Sequence, residues 1–117
     1  MNIGKDLVAA SATPLVLAIL SEGESYGYAI LKRVGQLSGG ELQWTDGMLY
    51  PLLHRLERNG YVQAAWGRSE TKRRRKYYCL TDQGTAELAS QQRQWQIVDS
   101  TLRGVWCVAT HVAGQEA

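Results

Sequence analysis

The sequence predicts a mainly α-helical protein with a small β-hairpin, arranged as a winged helix-turn-helix and a long C-terminal dimerisation helix. Three observations support this fold class. Three segments with helical apolar spacing precede two short segments typical of strands. Five consecutive basic residues, Lys72 to Lys76, lie where the two strand-like segments meet. A seven-residue apolar repeat then runs towards the C-terminal end. We therefore predict a DNA-binding head over residues 1–80 and a dimerisation helix over residues 81–117.

Length and composition limit what the chain can be. Its 117 residues, 44% hydrophobic and 21% charged, suit one domain with one modest core. The longest apolar run, Pro14 to Leu20, is too short for a membrane span, which needs about 20 apolar residues. We see no secretory signal pattern, and the two cysteines, Cys79 and Cys107, are far apart. We therefore expect a reduced protein in the cytoplasm.

Positive charge is concentrated in one quarter of the chain. Residues 50–80 hold eight basic side chains against two acidic ones, whereas the segments on either side each carry a small net negative charge. The net charge of the whole chain is only +2. This distribution is typical of a face that binds a polyanion rather than of a generally basic protein.

Local signals mark the first two predicted helices. Thr13 suits the N-cap of the first helix and Pro14 its first position, although residues 7–10 would extend the helix towards the N-terminus with a kink at Pro14. Gly23 marks its end. Ser25 is expected to cap the second helix, whose apolar side chains follow helical spacing: Ala29, Ile30, Val34 and Leu37.

The third predicted helix is signalled at both ends, by Thr45 at its start and Gly60 at its close. Pro51 lies inside it, on the exposed face, where it removes a backbone hydrogen bond to the carbonyl of Gly47. Such a departure on an exposed face indicates function more than packing. The opposite, core face carries Leu49, Leu52, Leu53 and Leu56.

Two strand-like segments follow, residues 61–66 and residues 73–80, joined by a polar turn at residues 67–71. Together they predict a hairpin with a basic tip. An isolated basic run is more often a solvated loop, but this one follows three helices in the order that builds a DNA-binding head.

The direction of the basic side chains stays open at this point. Because side chains alternate along a strand, either Lys72, Arg74 and Lys76 point together or Arg73 and Arg75 do. Either set can hold phosphate groups, since phosphate contacts need no sharp geometry.

Thr81 and Asp82 suit the start of the last helix. Beyond them, apolar residues recur at the a and d positions of a heptad, interrupted by Gln91. A single helix of this kind has no partner of its own length within the chain. We therefore predict a homodimer formed through Leu88, Trp95, Val98, Leu102 and Val105.

The predicted DNA-binding surface combines the third helix, the hairpin and two residues of the second helix. Two side chains of the third helix have an equally good ordinary explanation: His54, which we assign to this surface, as a surface histidine, and Arg58, which we do not assign to it, as an exposed charge. The residues we assign to this surface are Tyr28, Lys32, Thr45, Asp46, Gly47, Tyr50, Pro51, His54, Arg55, Lys72, Arg73, Arg74 and Lys76.

Three segments also resemble a known family. Residues 48–60, MLYPLLHRLERNG, resemble the LYPxLxRLExxG segment of the PadR-type transcriptional regulators. Residues 26–30, YGYAI, resemble that family's YGYxI, and residues 74–84, RRKYYCLTDQG, resemble its RRKYYxLTxxG. The segments occur in the family's order, and the single C-terminal helix is similar to its short subgroup.

The resemblance implies a dimeric winged-helix repressor, often of a detoxification or efflux gene, that a small molecule releases from its operator. By position it makes Tyr50 and Pro51 operator-contacting residues and assigns Arg74 and Lys76 to the wing.

The stretch from Trp95 to Asp99 resembles multidrug-sensing members, in which paired tryptophans sandwich planar aromatic compounds. Trp95 and Asp99 would then bind a planar cationic effector. The alternative is that Trp95 only packs in the dimer core.

Other classes of function fit less well. No cofactor or metal is predicted. Cys107 and His111 share a helix face that two copies would double, but a buried cysteine and a surface histidine explain them better. The sequence has no Gly-rich phosphate loop, no HExxH and no CxxC, so we do not expect an enzyme. A pure protein-interaction module would leave the basic hairpin unexplained. The expected partners are double-stranded DNA and a second copy of the chain.

Overall fold

The computed structural model describes residues 1–116, with side chains through residue 107. Within this range the chain forms four helices and three short strands. They are α1 (Lys5–Ser21), β1 (Ser25–Tyr26), α2 (Gly27–Leu37), α3 (Asp46–Arg58), β2 (Val62–Arg68), β3 (Arg74–Leu80) and α4 (Asp82–Glu116). The predicted class, helices with a small hairpin and a long final helix, is confirmed.

The first helix starts earlier than Thr13. Gly4 is the N-cap of α1, and its carbonyl accepts the Val8 N–H at 3.1 Å. The prediction that Thr13 caps the helix is therefore wrong, and the N-terminal extension through Pro14 is right. Packing on both sides of the proline offsets the hydrogen bond that it removes. The buried side chains that do so are Ala12, Val16, Leu17, Ile19 and Leu20.

A third strand precedes α2. Ser25 and Tyr26 form β1, and Tyr26 rather than Ser25 is the N-cap of α2. Ser25 pairs with Tyr78 and Tyr26 with Tyr77, so the sheet has the order β1-β3-β2. Two residues are too few to show a period, which is why the sequence predicted a cap here instead of a strand.

The third helix has the predicted bounds. Thr45 is the N-cap of α3, and the helix ends at Arg58. Gly60 closes it with a φ of 80°, a left-handed conformation that glycine adopts without steric cost. All four predicted core leucines of this helix are buried, namely Leu49, Leu52, Leu53 and Leu56.

Strands β2 and β3 form the predicted hairpin, called the wing (residues 62–80) below. Pairing runs from Val62 opposite Leu80 to Arg68 opposite Arg74, so β2 extends beyond its predicted end. The buried Ser69 organises the tip: its N–H donates to the Arg73 carbonyl at 2.9 Å, and its Oγ accepts the Arg73 N–H at 3.3 Å.

Thr81 caps α4, as predicted. Its Oγ1 accepts the Gly84 N–H at 3.0 Å, and its hydroxyl donates to the Gly60 carbonyl. The Thr81 N–H donates to the Tyr61 carbonyl at 3.1 Å. These bonds tie the end of α3 and the start of β2 to the start of α4.

The core lies between α1, α2, α3 and the sheet, and α4 closes one side of it by packing against α1. Leu88 is 7% exposed and belongs to this core, so the predicted boundary at residue 80 runs through packed side chains. The division into head and helix remains a prediction. Beyond Leu88, α4 projects from a molecule whose longest dimension is 63 Å. Within the described range, no helix combines the length and apolar character that crossing a membrane requires.

Two glycines of α4 offer a matched test of the junction at which the start of α4 packs against the end of α3 and the start of β2. A Cβ at Gly84 would collide with the Tyr61 carbonyl, whereas no described atom lies within 4 Å of a Cβ at Gly104. We expect Gly84→Ala to destabilise the protein by about 1–3 kcal/mol, as other overpacked sites do.

Gly104→Ala should instead be neutral or stabilise by up to about 1 kcal/mol, because alanine favours a helix interior. The measurement is the urea midpoint of both variants at one protein concentration. Equal shifts in both would contradict the junction described here.

Candidate nucleic-acid interface

The exposed face of α3 is small and polar. Tyr50, Pro51, His54 and Arg55 are exposed on it, and Thr45, Asp46 and Gly47 are exposed at its N-terminal end. This arrangement follows from the helix period, which turns the four leucines inward. The predicted direct-contact residues therefore share one accessible surface.

Tyr50 lies against the N-terminus of α2. A Cβ at Gly27 would collide with the Tyr50 hydroxyl and stand 2.8 Å from Tyr50 Cζ. Because Gly27, the first residue of α2, has no side chain, the ring of Tyr50 can pack against the start of this helix. Unpaired N–H groups at a helix N-terminus attract anions, so this contact places a hydroxyl beside a region of positive potential.

The register of the wing decides which basic side chains point together. Trp66 pairs with Lys76, and Arg68 pairs with Arg74, so these four residues share one face of the sheet. Arg75 lies on the other face, with Tyr26 and Tyr77. Of the two sets left open by the sequence, Arg74 and Lys76 are the pair that faces α3.

Aromatic rings hold two of the wing arginines, Arg74 and Arg75. The Arg74 guanidinium lies 4.6 Å from the centroid of Trp66, and the Arg75 guanidinium lies 3.7 Å from that of Tyr26. Trp66 is 61% exposed, which is unusual for so large an apolar side chain. Sequence reasoning missed its role, although a tryptophan opposite a basic run in a predicted hairpin was a usable signal.

Lys76 has two neighbours. Its Nζ lies 3.8 Å from Glu57 Oε1 and 5.5 Å from the centroid of the Tyr78 ring. Tyr78 is 1% exposed, and its hydroxyl has no hydrogen-bond partner among the described residues. Burial raises the pKa of Tyr78, and the nearby Lys76 charge opposes that rise. The hydroxyl therefore stays protonated at neutral pH.

These residues enclose a cleft of about 580 Å³ between the helices and the wing. It brings together five of the predicted positions and adds Arg75 and four aromatic or small residues that the prediction left out or placed elsewhere. Its lining combines rings with cations, as nucleic-acid-binding surfaces do. The lining residues are Tyr26, Gly27, Tyr28, Tyr50, His54, Trp66, Arg74, Arg75, Lys76 and Tyr78.

Other predicted positions lie outside this cleft. Arg55 and Pro51 border a separate apolar groove between α1 and α3, and Lys32 borders a third depression beside α2. Lys72 and Arg73 are exposed at the wing tip, where Lys72 has a φ of 62°. The tip can thus reach a partner independently of the cleft.

The projecting part of α4 carries an exposed apolar stripe. Val98, Leu102 and Val105 are exposed, and Trp95 is half-buried. Trp106 is 59% exposed and lies on the same face, four residues after Leu102, although it is not at an a or d position of the heptad. Leu88 is only 7% exposed, so it has little accessible surface with which to contact a second copy, and we do not include it in the proposed dimer contacts.

The second predicted effector residue already has a partner. Asp99 accepts two hydrogen bonds from Arg103 Nε, at 2.9 and 3.0 Å. Cys107 is exposed rather than buried, and the His111 side chain lies outside the described residues. The described part of the chain contains no group of three side chains suited to hold a metal ion.

Comparison with known proteins places this geometry in a family. The family model for PadR-like transcriptional regulators matches residues 16–90. A transcriptional regulator from Clostridium thermocellum is 30% identical with a TM-score of 0.77, over 85% of this chain and 96% of that one. A PadR family regulator from Eggerthella lenta is 32% identical with a TM-score of 0.71, over 86% of each chain.

A further relative is the transcriptional regulator YqjI of Escherichia coli, 26% identical over 89 residues. The match takes in 76% of this chain but only 41% of that protein. The resemblance read from the three sequence segments is confirmed, since the matched residues 16–90 include every element that builds the cleft. The chain belongs to the PadR-like family of transcriptional regulators, and it is a regulator rather than an enzyme.

Proposed function

We propose that this protein is a homodimeric transcriptional repressor in the cytoplasm that binds operator DNA with α3 and the wing, and that a small planar molecule releases it. The observation that carries the DNA-binding part is the cleft between helices and wing. There, Arg74 and Lys76 face the same way as Tyr50 and His54, beside the N-terminus of α2.

Phosphate contacts account for the wing. Arg74 and Arg75 rest on aromatic rings, so their guanidinium groups are held in place before DNA arrives. Ordering side chains in advance lowers the entropic cost of binding. Lys72 and Arg73 at the tip extend the same positive surface along the duplex.

Base contacts would come from the sparse face of α3. Thr45, Asp46 and Gly47 stand at its N-terminal end, the part of a recognition helix that usually reaches base edges. Few side chains on this face are long enough to donate hydrogen bonds to base edges. We therefore propose that operator choice depends partly on DNA shape and on the spacing of two heads.

Dimerisation would cover the stripe on α4. A stripe of large apolar side chains exposed on one projecting helix is unusual for a monomer, and the heptad spacing of Val98, Leu102 and Val105 suits a partner helix. The proposed contacts are Trp95, Val98, Leu102, Val105 and Trp106. A second copy is the simplest partner, because a two-fold axis would also set two heads on two half-sites.

Effector binding would involve the Trp95 ring and the Asp99 carboxylate of α4. Trp95 is only half-buried, so its ring is accessible to a planar molecule between two copies. Asp99 would attract a cation only in competition with Arg103. A DNA-binding dimer without an effector, and an interaction module without DNA, are the alternative functions.

The first prediction separates DNA binding from a pure interaction module. Fluorescence anisotropy with a duplex from upstream of the protein's own gene should show affinity falling steeply with salt. Arg74→Gln should weaken binding to this duplex and to an unrelated one alike, and lower the salt slope by about one. Salt-independent binding, or a loss confined to one sequence, would contradict the phosphate assignment.

A second prediction tests the contact between Gly27 and Tyr50. Gly27→Ala should push the exposed Tyr50 ring away from α2 without changing any charge. We expect about tenfold weaker binding, equal to about 1.4 kcal/mol, which one displaced contact can supply. Gly35→Ala in the same helix is the control, because no described atom lies within 4 Å of its Cβ. Equal affinities for the two variants would rule out a role for the contact.

A third prediction concerns the effector. Trp95→Leu keeps an apolar side chain for dimer packing but removes the flat ring. We expect this variant to sediment as a dimer and to bind a planar cationic dye such as acridine orange about tenfold more weakly, the worth of one stacking contact. Unchanged dye affinity, or no quenching of tryptophan emission in the wild type, would leave Trp95 as a packing residue only.

A further inference from the structure

One acidic residue stands at the edge of an otherwise basic cleft. Glu57 lies in the last turn of α3, and its Oε1 is 3.8 Å from the Nζ of Lys76 on β3. The two side chains are 40% and 30% exposed, so the pair is neither solvated freely nor buried. This ion pair links the recognition helix directly to the wing.

Lys76 differs in this respect from the other cations of the cleft. Arg74 and Arg75 lie on aromatic rings, and within the described range neither has a carboxylate within 4 Å. Lys76 alone of the three is held by an acid. An ammonium group in this position has two possible anionic partners, the Glu57 carboxylate and a phosphate of the duplex.

The two partners exclude each other in part. A phosphate that takes Lys76 leaves Glu57 with a negative charge close to the negatively charged duplex. Binding then exchanges one ion pair for another and adds a repulsion, instead of adding a contact. The cost is the same for every sequence, because phosphate contacts carry no base information.

We infer that Glu57 is a positioning residue that sets the DNA affinity of this protein: it holds Lys76 in the free state and yields it to a phosphate on binding. This inference rests on the proposed DNA-binding function. It accounts for an acid within residues 50–80, the segment with eight basic and two acidic side chains, at a position where a neutral side chain would give tighter binding.

The experiment compares Glu57→Gln with Glu70→Gln by fluorescence anisotropy, using the full chain, one duplex and a salt series. Glu70 is the other acid of residues 50–80, is exposed at the wing tip and forms no ion pair with a described residue. Both variants remove one negative charge from the same region. Only Glu57→Gln frees Lys76.

Glu57→Gln should bind DNA about two- to fivefold more tightly than Glu70→Gln, since an exposed pair is worth up to about 1 kcal/mol. Its salt slope should be steeper than that of the wild type by up to about 0.9, the value of one phosphate contact. In a Lys76→Gln background, the advantage of Glu57→Gln over Glu70→Gln should disappear.

Three results would overturn the inference: equal affinities for the two single variants, an advantage that persists without Lys76, or weaker binding by Glu57→Gln. Should Glu57→Gln not fold, Glu57→Asp, with a shorter reach to Lys76, must show a smaller gain of the same sign. Salt-independent behaviour of the wild type would refute the proposed function itself. Salt-dependent wild-type binding together with any of the three results would refute only the role of Glu57.

Discussion

Tyr78 fixes the wing to the helical core, and the arrangement of the interface follows from its burial. It lies on β3, the central strand of the sheet, between β1 and β2. Burying the Tyr78 ring stabilises this position, although its unpaired hydroxyl offsets part of the gain, and β3 is paired with a strand on each side, so the strand cannot easily rotate. Because successive side chains alternate, an inward Tyr78 places Lys76 and Arg74 on the side of α3 and Arg75 on the other side. A shift of register by one residue would reverse both sets.

The same constraint explains why the surface is rich in aromatic residues. Once the strand direction is fixed, Arg74 and Arg75 each need a neighbour that orders the side chain without neutralising its charge. Trp66 and Tyr26 meet this need, since a ring attracts a guanidinium group yet leaves its N–H donors free for phosphate. A carboxylate in either place would compete with DNA. Lys76, which lies 3.8 Å from the Glu57 carboxylate, is the exception.

The fold could be predicted from the sequence where signals were long or chemically specific. The four leucines of α3, Gly60 at its end and Thr81 at the start of α4 each gave the correct element. Errors arose where tertiary contacts outweigh local preference. Thr13-Pro14 has the chemistry of a helix start, yet burial of apolar side chains on both sides carries α1 through it. Ser25 resembles a cap, but its backbone pairs with Tyr78.

The candidate site was predicted only in outline, for a related reason. The basic run identified the wing, but strand alternation alone left two sets of side chains equally possible. Deciding between them required the register, which depends on β1 and on the burial of Tyr78. Glu57 and Gly27 were passed over because their contacts exist only in three dimensions, whereas Trp66, opposite the basic run, was a signal that the sequence did offer. Leu88 was assigned to the dimer because a heptad pattern cannot tell a residue that packs within its own head from one that awaits a partner.

The exposed stripe on α4 and the sparse face of α3 both bear on how this protein would select a DNA sequence. Under the proposed function, a head that owes its affinity mainly to phosphate contacts from Arg74, Arg75 and the wing tip would bind every duplex. In the proposed dimer, two heads joined through α4 would change this, because both could dock only where two sites have the right separation and groove shape. The second head then acts at high effective concentration on matched sites and contributes little elsewhere. On this view α4 supplies part of the sequence selectivity without touching DNA, and any ligand that moves Trp95 changes the spacing of the heads rather than the contacts of either one.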